Sequence, residues 1–274
     1  MNRKILTILY FLIFCYCQVF AAPNKELWPI WQAYNNNSLA HVDHSKWQFI
    51  LSKGTVKKKD IVLVNYSLLK NKYHVVLQEY LQYLSTINIL EYNRNEQLAF
   101  WVNLYNALTV NVVLENFPVD SIKDIKLSGL FSVGPWNHKI FQLNGQKISL
   151  NDIEHRIIRP IWDEPKTHYI LNCASIGCPN LSTKAYTGGN IQNLLVKAAI
   201  DFVNSRRGVT VTLSKELIIS KIYSWYEIDF GNNEQAVIDH IKKYAKKNLR
   251  KELEKIEEVS KYKYDWDLNC FNCK

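Results

Sequence analysis

The chain has 274 residues, 47% of them hydrophobic and 13% aromatic, with only 9 Gly and 7 Pro. That composition excludes a disordered or collagen-like chain and supplies a sizeable core, in one domain or two at about 150 residues each. The formal charge is +9, from 34 Lys and Arg against 25 Asp and Glu. The basic residues gather at Lys57–Lys59 and in the last predicted helix (Lys242, Lys243, Lys246, Lys247, Arg250, Lys251), where they read as solvated faces.

Residues 1–21 read as a secretion signal. Arg3 and Lys4 open it, Ile5 to Phe20 form a short apolar stretch, and Val19-Phe20-Ala21 places small residues before a cut at Ala22. Removing Arg3 and Lys4 with the leader lowers the basic count from 34 to 32 and leaves a charge of about +7. No later window is long and apolar enough to span a bilayer. The expectation is a secreted, periplasmic protein without a transmembrane segment, for which nucleic acid is an improbable partner. Its protein partners are unknown from sequence.

Residues 22–60 form an N-terminal arm with Trp28, Trp31 and Trp47 as aromatic anchors. Residues 60–66 suit a strand, and Ser67 to Leu84 has helical apolar spacing. Asn95 to Phe117 is the strongest helix; it is apolar on most faces and so central and buried, with an Asn cap before it and Pro118 after it. His138 to Leu150 reads as a β-hairpin turning at Asn144-Gly145. Asn151 to Glu154 has the form of a capping box opening a short helix that stops at Pro160.

Tyr169 to Cys173 reads as a buried strand and Ala174 to Leu181 as a tight loop. Asn190 to Asn204 is an amphipathic helix, Gly208 to Tyr226 two strands, and Glu234 to Leu253 a last helix. The order is neither alternating βαβ nor all-β. It predicts a single α+β domain over 61–269, a central buried helix with further helices packed on a small antiparallel sheet, and a Cys-x-x-Cys tail over 270–274.

Four cysteines follow the leader: Cys173, Cys178, Cys270 and Cys273. An even count in an oxidising compartment favours disulfides, with three pairings open and local pairing the simplest. A thiol at the end of a buried strand, followed by a Gly-bearing turn, also resembles a nucleophile seat, with turn amides for an oxyanion. Cys173 is then the nucleophile. His155 is the candidate base, because His168 lies an odd number of strand residues away and points to the other face. Asn103 and Asn106 share a face of the central helix; they either satisfy backbone groups of a neighbouring loop or orient the imidazole. Glu154 is the further candidate, with helix capping as its plainer role. No Gly-rich phosphate loop, His-Glu-x-x-His or Gly-x-Ser-x-Gly occurs, so no metal, cofactor or serine hydrolase is expected.

Three stretches, Glu96–Thr109, Asp152–Pro160 and Asn172–Pro179, resemble the domain of unknown function 547. Ala185–Thr187, Ser220–Trp225 and Tyr264–Asn269 also fit, so that the resemblance covers residues 27–269. The resemblance implies exported bacterial members and plant relatives, and no established reaction. It implies that the first cysteine, Cys173, is kept more widely than the second, Cys178, and that the Glu154-His155 pair belongs to the motif. The leading expectation is a cysteine-dependent hydrolase or acyl transferase acting on an amide or thioester of a small-molecule or peptide substrate. The rivals are a non-catalytic binding or scaffold module of the cell envelope and a periplasmic thiol–disulfide protein.

Overall fold

The structure, a computed structural model, describes residues 22–127 and 133–273. The leader at 1–21 lies outside the described residues. The architecture is α+β, with helices around one central helix and three small, separate sheets.

The central helix, Arg94–Asn116, starts where the Asn93 side chain accepts from the Glu96 N–H at 3.1 Å and stops before Phe117-Pro118. The residue before a proline is disfavoured in the α region, which sets that end. Every residue from Glu96 to Val110 is buried, so the helix has no solvent face over four turns. Helices His74–Ser85 and Ile191–Val203 pack against it, and Ser45–Gly54 packs against His74–Ser85. The arm does not stand apart. Trp31 and Trp47 are each 1% exposed in the main core, and Trp31 meets Trp101 of the central helix edge-on at 5.0 Å.

The predicted 60–66 strand is the second half of a hairpin, β1 (Thr55–Lys58) with β2 (Ile61–Val64). The 138–150 hairpin forms as β3 (Phe141–Leu143) and β4 (Gln146–Ile148). Asn144 and Gly145 sit at φ 47° and 75°, the two left-handed positions that its turn requires. The third sheet has β5 (Val209–Val211) antiparallel to β6 (Leu217–Ser220), and β7 (Lys261–Lys263) parallel to β6. It covers a second apolar cluster around Tyr169, Phe202, Leu217, Tyr223 and Ile238. The expected last helix is two, Glu234–Tyr244 and Lys247–Leu253, broken where Ala245 and Lys246 turn extended.

Two local readings change near the motifs. The capping residue before the short helix is Ser149, not Asn151: Asp152 accepts from the Ser149 amide and hydroxyl, each at 2.7 Å, and its own N–H returns to the Ser149 hydroxyl. That leaves Glu154 free to point inward, where it is 6% exposed. Pro160 does not stop the helix. Residues Asp152–Ile158 are wound with a five-residue spacing, as in the Arg159 N–H to Glu154 carbonyl bond, and the chain continues helically to Trp162. The shifted ladder absorbs the N–H that proline lacks.

Tyr169–Cys173 is not a strand. Residues Pro165–Tyr169 form a tight 3-10 turn, and the residues after it are held by side chains rather than by a ladder.

One buried and one half-buried histidine couple the fold to pH. His44 bonds the Tyr80 hydroxyl at 2.7 Å and His240 the Tyr169 hydroxyl at 2.9 Å. Burial pushes both imidazoles down to about 4. Unfolded histidine titrates near 6.5. Below that value the unfolded chain therefore takes up protons that the folded chain refuses, and stability falls. Thermal unfolding followed between pH 7 and pH 4 should show the melting temperature dropping through this window. His240→Gln should flatten the drop; an unchanged slope would remove His240 from the account.

Candidate sulfur centre and its polar neighbours

The segment 172–180 is fastened from four sides. Asn106 accepts the Asn172 N–H at 2.8 Å and donates to the Ile170 carbonyl at 2.9 Å. The Asn172 side chain closes the loop on itself, donating to the Pro179 carbonyl and accepting from the Ala174 N–H. Along the other edge, Ile176 and Gly177 donate to the carbonyls of Asp267 and Asp265, and Asn269 donates to the Ala174 carbonyl. A Cβ on Gly177 would stand 2.7 Å from the Asp265 nitrogen, so only glycine admits this approach. Arg207 ties the far end, to the Ile176 carbonyl and the Asn180 side chain.

Within this frame Cys173 and Cys178 are paired as a disulfide, with Cα atoms 6.2 Å apart. Cys178 is 2% exposed, whereas Cys173 is only half-buried. The Cys173 N–H donates to the Cys178 sulfur at 2.9 Å. The Tyr264 hydroxyl lies 2.9 Å from the Cys173 sulfur and 2.8 Å from the Ser175 hydroxyl, itself 3.5 Å from the sulfur. Burial pushes the Tyr264 phenol well above its ordinary value, so it stays protonated and can donate. Arg207 lies within electrostatic reach of the same phenol. Ala174, directly after Cys173, sits at φ 59°, a left-handed conformation that costs a non-glycine residue about 1–2 kcal/mol.

The other predicted site residues are elsewhere. Asn103 uses both ends of its amide on the Tyr186 backbone, at 2.7 and 3.0 Å, and Asn106 uses both on residues 170 and 172. Each holds a loop, and neither reaches an imidazole. His155 accepts at Nδ1 from Arg159, 2.9 Å away. Because arginine only donates, the proton of neutral His155 sits on Nε2, so neither ring nitrogen is available as a base. Burial, with the Arg159 charge, holds its pKa below the ordinary value against the pull of Glu154. Among the described residues no hydrogen bond joins His155 to Cys173.

Glu154 accepts from Tyr105 at 3.2 Å and lies 3.8 Å from His168. Burial alone would raise its pKa; His155, His168, the Tyr226 hydroxyl and Arg159 outweigh this and hold it below the usual carboxylate range. His168, which strand parity turned away, lies tilted against Tyr226 with ring centres 4.0 Å apart and bonds Asp229 at 2.7 Å. Its segment is a 3-10 turn, where alternation does not apply. Arg159 reaches the same Asp229 oxygen at 2.6 Å, Lys25 stands 3.2 Å from the other, and Arg159 also donates to the Pro23 carbonyl. This cluster therefore binds the arm to the domain. Tyr264 lies within electrostatic reach of Glu154 and is the neighbour shared with Cys173. The turn amides at 174, 176, 177 and 178 all have acceptors within the frame, so they form no oxyanion hole.

Sequence reasoning missed Tyr264, Ser175, Arg207 and Asp229, and set His168 aside on strand parity. Of the polar contacts around His155, that of Arg159 was readable, since it follows His155 by four residues in a helical stretch.

Two outcomes follow from this geometry. Asn106→Ala strands a buried N–H and a buried carbonyl and should cost about 3 kcal/mol in a denaturant titration; a loss under about 1 kcal/mol would show that the loop does not depend on it. With the protein reduced, Tyr264→Phe removes a donor worth about 1.5–3 kcal/mol to a thiolate. Alkylation of Cys173 at pH 7 should then slow about tenfold, and an unchanged rate would show that the phenol does not tune the sulfur.

Residues 89–203 match the family model described as Protein of unknown function, DUF547. No curated protein and no solved structure matches the chain. The matched stretch holds Asn103, Asn106, Glu154, His155, His168, Cys173 and Cys178, and is narrower than the 27–269 resemblance; Arg207, Asp229 and Tyr264 lie beyond it. The half of the sulfur centre that carries the cysteines thus sits in the matched segment, and over residues 89–203 the chain is similar to the DUF547 family.

Proposed function

We propose that the chain is an exported thiol–disulfide protein working through Cys173 and Cys178. The observation that carries this reading is the asymmetry of the pair: one half-exposed sulfur flanked by two hydroxyls, and one buried sulfur that receives a backbone N–H. Exchange needs an attackable sulfur and a stabilised leaving thiolate, and no general base fixed in the protein. A thiolate of an external dithiol attacks the Cys173 sulfur, forming a mixed disulfide and releasing Cys178 as a thiolate beside the Cys173 N–H. The second external thiolate resolves the mixed bond, releasing Cys173 as a thiolate beside Tyr264 and Ser175. Two electrons pass from the external dithiol to the pair, and the reverse sequence oxidises a substrate dithiol. Export through the leader at 1–21 belongs to the same proposal.

A cysteine-dependent hydrolase or acyl transferase is the second reading. Strain at Ala174 next to Cys173 favours it, since such strain collects at reactive turns. It lacks a base within bonding distance of the sulfur among the described residues, and the turn amides at 174, 176, 177 and 178 are occupied.

The folded protein, purified without reductant, should be equilibrated in dithiol–disulfide buffers and its free thiols mapped by alkylation and mass analysis. The Cys173–Cys178 pair should reduce reversibly, with a midpoint less negative than about −300 mV. A pair that stays closed under strong reductant would leave a scaffold module. A Cys173 that is isolated free and labels fast would favour the acyl-transfer reading.

A further inference from the structure

We infer that Cys270 and Cys273 form a second dithiol that exchanges electrons with the Cys173–Cys178 pair inside the same chain. This rests on the thiol–disulfide reading of Cys173 and adds an internal partner to it. The register of the backbone carries the inference. Ser175 and Leu268 oppose each other as an isolated antiparallel bridge. It is flanked by the Asn269 N–H to Ala174 carbonyl bond at 3.0 Å and the Ile176 N–H to Asp267 carbonyl bond at 2.8 Å. The ladder ends at Ala174 and Asn269, because Ala174 turns left-handed and gives its N–H to the Asn172 side chain while the Asn269 carbonyl accepts from Val64; Cys173 and Cys270 are the adjoining residues of the two segments. The Asn269 side chain donates to the Asn172 side chain at 3.3 Å, so the residues on both sides of Cys173 are bonded to Asn269, the neighbour of Cys270.

The second pair has its own division of labour. Cys270 is half-buried and fixed, because Val64 takes the Asn269 carbonyl and the Phe271 N–H on either side of it. Cys273 is exposed. Asn272, at φ 59°, makes the turn that brings Cys273 back to pair with Cys270. An external dithiol therefore meets Cys273 in the open, while Cys270 stays beside the Cys173 loop.

The transfer balances without a further reagent. Reduced Cys270 attacks the Cys173 sulfur as a thiolate, making a Cys173–Cys270 bond and expelling Cys178 as a thiolate. Cys273 then attacks Cys270, closing the Cys270–Cys273 disulfide and releasing Cys173. Two electrons move from the second pair to the first, and the reverse order moves them back.

The test compares the full processed chain with its C270S/C273S variant, using dithiothreitol at about 0.1 mM as the probe. A tethered dithiol acts at an effective concentration in the millimolar range, so the Cys173–Cys178 pair should open about tenfold faster in the parent chain. C273S is the companion: reoxidised from the reduced state, it should yield a peptide linking Cys270 to Cys173, whatever the behaviour of the double variant. Equal rates in parent and double variant, with no linked peptide from C273S, would overturn the relay and leave the Cys173–Cys178 reading standing. A pair that opens in neither protein would overturn both.

Discussion

A helix buried on every face cannot leave its polar groups to water, and that constraint organises this molecule. The central helix carries Glu96, Gln97, Asn103 and Asn106 into the interior. Each bonds backbone outside the helix: Glu96 at Gly188 and Asn103 at Tyr186 of one loop, Gln97 at Ala33 and Ile89, and Asn106 at Ile170 and Asn172. Segments that would otherwise be free loops are indexed to the helix by these bonds. A buried amide left unmatched costs more than a matched one contributes, so the arrangement penalises alternative loop placements more than it strengthens the native one.

The sulfur centre inherits its position from that indexing. Asn106 fixes the approach to Cys173, and the 264–269 segment fixes the far edge. Chemistry is thereby placed on irregular backbone that is nevertheless over-determined, which is how a left-handed alanine persists at Ala174. The charged cluster around Asp229 is a separate device. It joins the arm, through Lys25 and Pro23, to the short helix and to the 3-10 turn.

Much of the fold was legible in the sequence because it depends on local pattern. The central helix, the Asn144-Gly145 hairpin and the helix over 191–203 follow from periodicity, capping and turn chemistry. The disulfide partner of Cys173 was among the readings that spacing left open. The misreadings share one cause, tertiary bonds replacing local ones. Tyr169–Cys173 has the composition of a strand, but side-chain amides of the central helix take the place of a ladder there. His155 looked like a base because strand parity turned His168 away from Cys173; the group that sets its proton is Arg159, one turn on. Tyr264 could not be found from pattern, being 91 residues from the sulfur it touches.

The wide winding at Asp152–Ile158 has a further meaning. Such a segment behaves as an α-helix with one residue added, and each residue advances the helix by about 100°. The phase of everything after it is therefore set by that one extra residue. Were the segment to relax to ordinary winding, Arg159 would swing away from Asp229 and from the Pro23 carbonyl together, and Pro160 would meet a ladder with no gap for it. The attachment of the arm is thus written in the length of a helix some 130 residues downstream of it, and a single-residue deletion there would be read at the other end of the chain.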